Sequence, residues 1–338
     1  MLDWLRLIRA TGLFTILSNI MAATVAATYA EGNLDPKLIV SLLLQGNRMN
    51  LLWVALASCL LYASGMIWND IADIERDREL HPRRPLPSGR ISLITAYVVA
   101  AILAVASLLV ASLVGSYGFY GAGIVLSLAL LYDFAGKHVP YLGSLNMALV
   151  RFAHALFALL ALGDLAYFKM GVLAVVGLFG ADVAQDIPLS AAAYPLILGG
   201  YVLGVTLISE LESRRGHRWE LAFGGAILFA AVIAASVRLV TAHWIGSLQQ
   251  MESYLLVVAG LFLGLGILGL LLYRVLRPWI DAVRTGRKAL VGPVVGAALS
   301  GLVLLDALVA TAFHPLAGLA ILALYPVFRL TGRLIRMD

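Results

Sequence analysis

The sequence predicts an all-α fold, a polytopic transmembrane helical bundle of nine to ten spans, and three observations carry that expectation. Of 338 residues, 62% are hydrophobic and only 13% charged, more apolar surface than a water-soluble chain of this length can bury. The apolar residues are gathered into segments close to the roughly 20 residues a helix needs to cross a bilayer. Arginines and lysines collect in alternate loops between those segments. In lipid every backbone polar group must be satisfied internally, and unbroken segments of this length do so as helices.

In chain order, apolar segments place helices near 11–30, 50–69, 92–115, 117–133, 143–163, 192–209, 221–241, 253–273, 291–313 and 315–331, nine clear spans and a tenth at the end. Arg6 and Arg9 before the first segment mimic a signal peptide. No small-residue cleavage site leads on to a soluble domain, so this reads as the first membrane helix. With the N-terminus inside, the inner loops collect Arg76, Arg78, Arg83, Arg84 and Arg90, then Lys137, then Arg214, Arg215 and Arg218. They end with Arg274, Arg277, Arg284, Arg287 and Lys288, and with Arg329, Arg333 and Arg336. The outer loops keep Lys37, Arg48, Lys169 and Arg238. That bias fixes the orientation and argues for the tenth span, which returns the basic C-terminus to the inside. The break at 164–191, with Asp164, Asp182, Asp186 and Pro188, encloses a short apolar piece at 171–179. It reads as an extracytoplasmic loop carrying a re-entrant or surface helix. The expectation is one integral-membrane domain over residues 1–338, multi-pass in the cell (inner) membrane, with the lipid bilayer as its partner.

Composition also excludes function classes. The single cysteine, Cys59, rules out an intramolecular disulfide and a cysteine metal cluster. The net charge of +5 comes from short loops, without an aromatic-basic module, so no nucleic-acid partner is expected.

The stretch Asn69-Asp70-Ile71-Ala72-Asp73-Ile74-Glu75-Arg76-Asp77 lies where the apolar run 51–68 ends. A continuous helix advances about 100° per residue, which would put Asn69, Asp70, Asp73 and Asp77 on one stripe. Carboxylates so placed repel unless a cation sits between them. Hard oxygen ligands suit Mg²⁺, which keeps waters and completes its shell with substrate phosphates. Arg78, Arg83, Arg84 and Arg90 follow directly and suit an anion larger than one phosphate. A solvated charged loop is the plain alternative.

A second acidic stretch, Ser209-Glu210-Leu211-Glu212-Ser213-Arg214-Arg215-Gly216-His217, ends the sixth span at the same side. Opposite the first, its Glu210 and Glu212 would supply the other half of a metal-diphosphate site and Arg214 a contact to the anion. An ordinary positive-inside loop has the same look. Tyr132, Asp133, Lys137 and His138 close the fourth span. An ammonium and a phenol there could hold a diphosphate and stabilise its departing charge, and Asp133 with Lys137 also fits a helix-end ion pair. Arg151 and His154, within the fifth span, share a face with Asn146 nearby and Asn19 in the first span. Ionisable groups at membrane depth face a cavity or a partner. Asp306, in the ninth span, meets the same test without an obvious partner.

The run N-D-x-x-D-x-x-x-D at 69–77, followed by Arg83-Arg84-Pro85-Leu86-Pro87-Ser88-Gly89, resembles the UbiA superfamily of membrane prenyltransferases, and within it looks most like the EboC-like branch. The basic start of the first helix and the Tyr132/Lys137 pair agree. The resemblance implies a helical bundle whose cavity opens towards lipid, in which two acidic motifs hold Mg²⁺ on the diphosphate of an isoprenoid donor. The donor ionises to an allylic cation that an aromatic or other lipophilic acceptor attacks. On this resemblance Asn69, Asp70, Asp73 and Asp77 take the first-motif roles, and Arg84, Lys137 and Tyr132 assist with diphosphate. The second motif departs from the pattern. Counting back eight and four residues from Gly216 gives Ile208 and Glu212, one acid lost and one a glutamate, with Glu210 as a partial substitute.

The expected function is therefore Mg²⁺-dependent prenyl transfer. A non-catalytic isoprenoid-binding or carrier protein of the same fold is the rival that Ile208 favours. A phosphoalcohol transferase is disfavoured by the lack of a D-G-x-x-A-R run, and a transporter by the lack of paired broken helices.

Overall fold

The computed structural model describes residues 2–30, 48–162, 189–213, 218–249 and 254–334, and every regular element among them is helical. The loop at 164–191 expected outside the membrane, and Arg214 with its neighbours 215–217, lie outside the described residues, apart from the helix start at Leu189.

Thirteen α-helices follow in order among the described residues: α1 (Leu2–Leu7), α2 (Leu13–Ala30), α3 (Arg48–Ala72), α4 (Ile74–Leu80), α5 (Leu93–Ser112), α6 (Ser116–Phe134), α7 (Leu142–Leu162), α8 (Leu189–Ser213), α9 (Arg218–Gln249), α10 (Tyr254–Thr285), α11 (Val291–Phe313), α12 (Pro315–Leu322) and α13 (Leu324–Leu334). Nine stretches among the described residues are long and apolar enough to cross a membrane. They are α3, α5 to α11, and the run Pro315–Leu334 that α12 and α13 share. Helix α2 adds a shorter apolar stretch, Ala10–Ala26. The protein is a multi-pass integral membrane protein.

Segment ends follow local chemistry. Ser92 caps α5, its hydroxyl accepting from Thr95 N–H at 3.0 Å. Pro315 opens α12 behind His314, whose ring nitrogen accepts from Leu316 N–H at 3.2 Å. Helix α10 runs on to Thr285, well beyond the apolar stretch ending near 273, through a segment that carries Arg274, Arg277 and Arg284. The last apolar segment is broken at Ala323 rather than forming one helix.

Helix α11 is the hub. It packs against α2, α8, α9, α10 and α12, and every residue from Ser300 to Phe313 is buried. A helix apolar all round belongs in an interior. Helices α5, α6 and α10 stand outside it and point Ile94, Tyr120, Leu255 and Phe262 outward, each more than 60% exposed, as a lipid-facing surface does. Helices α3, α6, α7 and α8, with the start of α2, form the other half of the bundle and enclose the cavity described next.

Candidate active site

A cavity of about 710 Å³ lies between α2, α3, α6, α7 and α8. One end is charged, with Asn69 and Asp73 from α3 and its edge, and Glu210 and Glu212 from the end of α8. Tyr132 and Asp133 from α6 and Lys137 from the turn after it stand beside them. The deeper walls are mainly apolar, with Ile16, Leu61, Val125, Ala129, Met147 and Val150.

The backbone at the first motif is not a plain helix. Helix α3 stops at Ala72, and Asp73 has φ −92° and ψ 4°, the sparsely populated bridge region where many active-site residues sit. The hydrogen bonds Asp73 N–H to Asn69 O (3.0 Å) and Asp77 N–H to Asp73 O (2.8 Å) carry the chain across this kink into α4. The side chains do not make a single ledge. Asn69 and Asp73 face the cavity. Asp70 turns to Arg9 (3.1 Å) and Asp77 to Arg84 (2.6 Å), both buried. A carboxylate withdrawn from water needs a countercharge, and the guanidiniums provide one on either side of the stripe. Arg84 therefore contacts Asp77, not the cavity, and Arg78 is exposed and paired with Glu75 at 2.7 Å.

Asn69, Asp73, Asp133, Lys137 and Glu210 are each held by a neighbour. The Asn69 amide donates to Asp133 Oδ1 at 2.7 Å and accepts weakly from Arg9 at 3.4 Å. Lys137 Nζ stands 2.9 Å from Asp73 Oδ2. Asn146 lies behind the wall, its amide donating to the Leu128 carbonyl (3.0 Å) and accepting from Tyr132 N–H (3.1 Å), so it braces α6. Glu210 accepts from Tyr141 N–H at 3.0 Å and from the Ser144 hydroxyl at 2.5 Å. Ile208, at the position where the motif count expects an acid, is buried and packs against Gly224 of α9. Two residues further on, Glu210 has turned round the helix into the cavity.

Deeper in, Arg151 and His154 line the wall. Arg151 donates to Asn19 Oδ1 at 3.0 Å, and the Asn19 amide donates to Asp306 Oδ2 at 2.7 Å. Asp306 also accepts from Ser18 (2.6 Å) and Tyr194 (2.9 Å). The lone acid of the ninth apolar segment thus finds its partners on α2 and α8, none adjacent in sequence.

Sequence reasoning passed over Arg9 as a site residue. It has left-handed backbone (φ 46°, ψ 55°), lines the cavity and reaches both Asn69 and Asp70. Among the described residues the other non-glycine residue with positive φ is Tyr141 (φ 64°), whose N–H holds Glu210. Such backbone costs on the order of 1–3 kcal/mol and persists where the surroundings impose it. Both cases among the described residues orient groups of this cavity.

The charges lining the cavity balance, four carboxylates (Asp73, Asp133, Glu210, Glu212) against four cations (Arg9, Arg76, Lys137, Arg151). A diphosphate entering this cavity adds negative charge that the protein alone does not offset. Among the described residues no three His, Cys, Asp or Glu side chains converge on one point. Mg²⁺ takes few protein oxygens and fills its shell with water and phosphate, so a site for it does not require such a cluster.

Residues 16–218 match the UbiA prenyltransferase family. The chain belongs to that family. This UbiA family member is 32% identical over 150 residues to the polyprenyl transferase ausN of Emericella nidulans, covering 43% of each chain. It is 36% identical over 107 residues to a digeranylgeranylglyceryl phosphate synthase of Sulfurisphaera tokodaii, covering 32% of this chain and 37% of that one. The matched stretch thus spans less than half the length of either relative. Among solved structures it resembles the apo UbiA homologue from Aeropyrum pernix K1 (TM-score 0.55, 19% identity, 87% of this chain and 95% of that one). It also resembles the Archaeoglobus fulgidus UbiA homologue bound to GPP and Mg²⁺ (TM-score 0.51, 13% identity, 95% and 99%). At these identities the likeness is one of fold.

Proposed function

We propose that this protein is a Mg²⁺-dependent membrane prenyltransferase that moves an isoprenyl group from an isoprenoid diphosphate to a lipophilic acceptor, with its acidic motifs on the cytoplasmic side. One observation carries the reading. A single cavity has an oxygen-rich, charged end formed by two distant helix ends, α3 and α8, and a deeper part walled mainly by apolar side chains, with Arg151 and His154 among them. That is the shape and polarity of a molecule with a diphosphate head and a hydrocarbon tail. The Aeropyrum and Archaeoglobus homologues share the fold, and the latter was solved with GPP and Mg²⁺.

Asn69 and Asp73 on one side, with Glu210 and Glu212 on the other, would hold Mg²⁺. The ion when bound neutralises the diphosphate and stabilises it as a leaving group. The C1–O bond of the donor breaks with both electrons going to the diphosphate oxygen. The allylic cation left behind bonds to the acceptor, which then gives up a proton. Lys137 and Arg76 line the charged end and stabilise the leaving charge, and Tyr132 directs its phenol towards the same region. The apolar walls hold the tail and keep water from the cation. Asp70 and Asp77 act on this reading through Arg9 and Arg84, fixing the kinked backbone around Asp73.

A non-catalytic isoprenoid carrier is the second reading, favoured by Ile208 facing the core where an acid is expected. Diphosphate release separates them. Membranes containing the protein, given isoprenoid diphosphates of several lengths, Mg²⁺ and a panel of lipophilic acceptors, should release diphosphate with formation of prenylated product. Donor binding without release under all these conditions would establish the carrier instead. Mass spectrometry of copurifying lipids would narrow the acceptor.

A further inference from the structure

A second cavity, of about 390 Å³, opens on the loop between α4 and α5. Four arginines line it, Arg6, Arg83, Arg84 and Arg90, together with Ser88 and two prolines. It shares no lining residue with the larger cavity. Two carboxylates reach these guanidiniums: Asp3, 2.6 Å from Arg90 and 3.9 Å from Arg6, and Asp77, 2.6 Å from Arg84. Arg83 has no ion pair among the described residues, and Arg6 Nε is buried without a hydrogen-bond partner there. The pocket therefore carries two more positive charges than negative ones.

Its walls are preformed. Arg90 donates Nε–H to Ser88 Oγ (3.0 Å), Nη1–H to Asp3 (2.6 Å) and Nη2–H to the Arg83 carbonyl. The loop is closed on itself by Ser88 N–H to Arg84 O (3.1 Å) and Ile91 N–H to Pro85 O (3.2 Å), with Gly89 at φ 73° making the turn and Leu86 anchored in the core. Two of the guanidiniums, Arg84 and Arg90, are held in place around a hollow with Arg6 and Arg83 beside them, a set that suits a tetrahedral phosphate oxyanion. The setting says where that anion comes from. Helix α5 begins at Leu93, and its first turns expose Leu93, Ile94, Tyr97 and Val98. An apolar, lipid-facing strip thus starts directly beside the arginines, at the level where phosphate headgroups lie.

We propose that this pocket binds a phosphate group, that of an anionic phospholipid whose acyl chains lie along the outer face of α5. The site is separate from the diphosphate end of the large cavity and does not depend on the protein being an enzyme.

The test uses the full chain purified in detergent, titrated with phosphatidylglycerol or phosphatidylcholine and read by native mass spectrometry. Each arginine near a headgroup phosphate strengthens its binding by about fivefold. Phosphatidylglycerol should therefore bind several-fold more tightly than phosphatidylcholine, with a loss of about fivefold in Arg83→Gln and in Arg6→Gln. Arg83→Lys should keep most of the preference, and Asp73→Asn, in the other cavity, all of it. Arg83 is exposed and makes no ion pair, so Arg83→Gln should melt like the wild type. If phosphatidylglycerol and phosphatidylcholine bind alike, or the preference survives both glutamine variants, the proposal is overturned. Inorganic phosphate at millimolar concentration should fail to displace the lipid. Displacement that is lost in the same variants would keep the phosphate chemistry and overturn the lipid as its source.

Discussion

Asp73 is the residue on which the proposed chemistry turns, because it combines bridge-region backbone, an ion pair to Lys137 at 2.9 Å and a place on the cavity wall. Asp73→Asn should abolish turnover in membranes supplied with donor and Mg²⁺ while leaving the protein folded, as judged by its melting in detergent. Asp77→Asn should abolish it too, through release of Arg84 and the kink. Unchanged turnover in both variants would refute the assigned site. Lys137→Met should lower kcat about 10²- to 10³-fold, the typical cost of one preorganised donor to a developing charge, with a smaller effect on donor KM. Chelating Mg²⁺ should stop diphosphate release, and adding it back should restore release.

At the scale of elements, the turn of α8 matters more than the motif it carries. Ile208 faces α9 and Glu210 faces the cavity, so the two positions are not interchangeable. Glu210→Gln should cut activity at least tenfold, an estimate from the removal of one anionic oxygen ligand. Ile208→Asp should restore nothing and should instead lower the melting temperature, since it buries an unpaired charge against Gly224. The Asp306 network ties α11 to α2 and α8 in the same way. Asp306→Leu leaves Ser18, Asn19 and Tyr194 without their shared acceptor and should destabilise the protein by roughly 3 kcal/mol, measured by thermal unfolding in a fixed detergent. With Asn19 no longer fixed by Asp306, Arg151 should also bind less well whatever meets it in the cavity.

Across the whole molecule, the helices were legible because apolar runs of span length have few alternatives in lipid, and the first motif because its spacing and the R-P-L-P-S-G run are specific. Other features were hidden. Arg9 looked like a charge anchoring a first helix, since nothing in sequence announces left-handed backbone at an arginine. The pairing of Asp70 and Asp77 with Arg9 and Arg84 replaced an expected common stripe, because a helical wheel sees one helix and not the cations packed beside it. Asp306 could not be paired from sequence, its partners lying 287 and 288 residues away on α2 and 112 away on α8. The positive-inside bias predicts that Ser88→Cys, in a Cys59→Ala background, reacts with a membrane-impermeant maleimide only in inside-out vesicles. Labelling of intact cells would reverse the orientation.

The long reach between Asn19 and Asp306 bears on how the protein is made. During synthesis the first acidic motif enters the bilayer long before α11 leaves the ribosome, and until then the deep wall of the cavity lacks the carboxylate that sets Asn19 and Arg151. A nascent chain halted after α8 would carry both acidic motifs and still be unready for substrate. Competence arrives late and all at once, with the insertion of one buried helix.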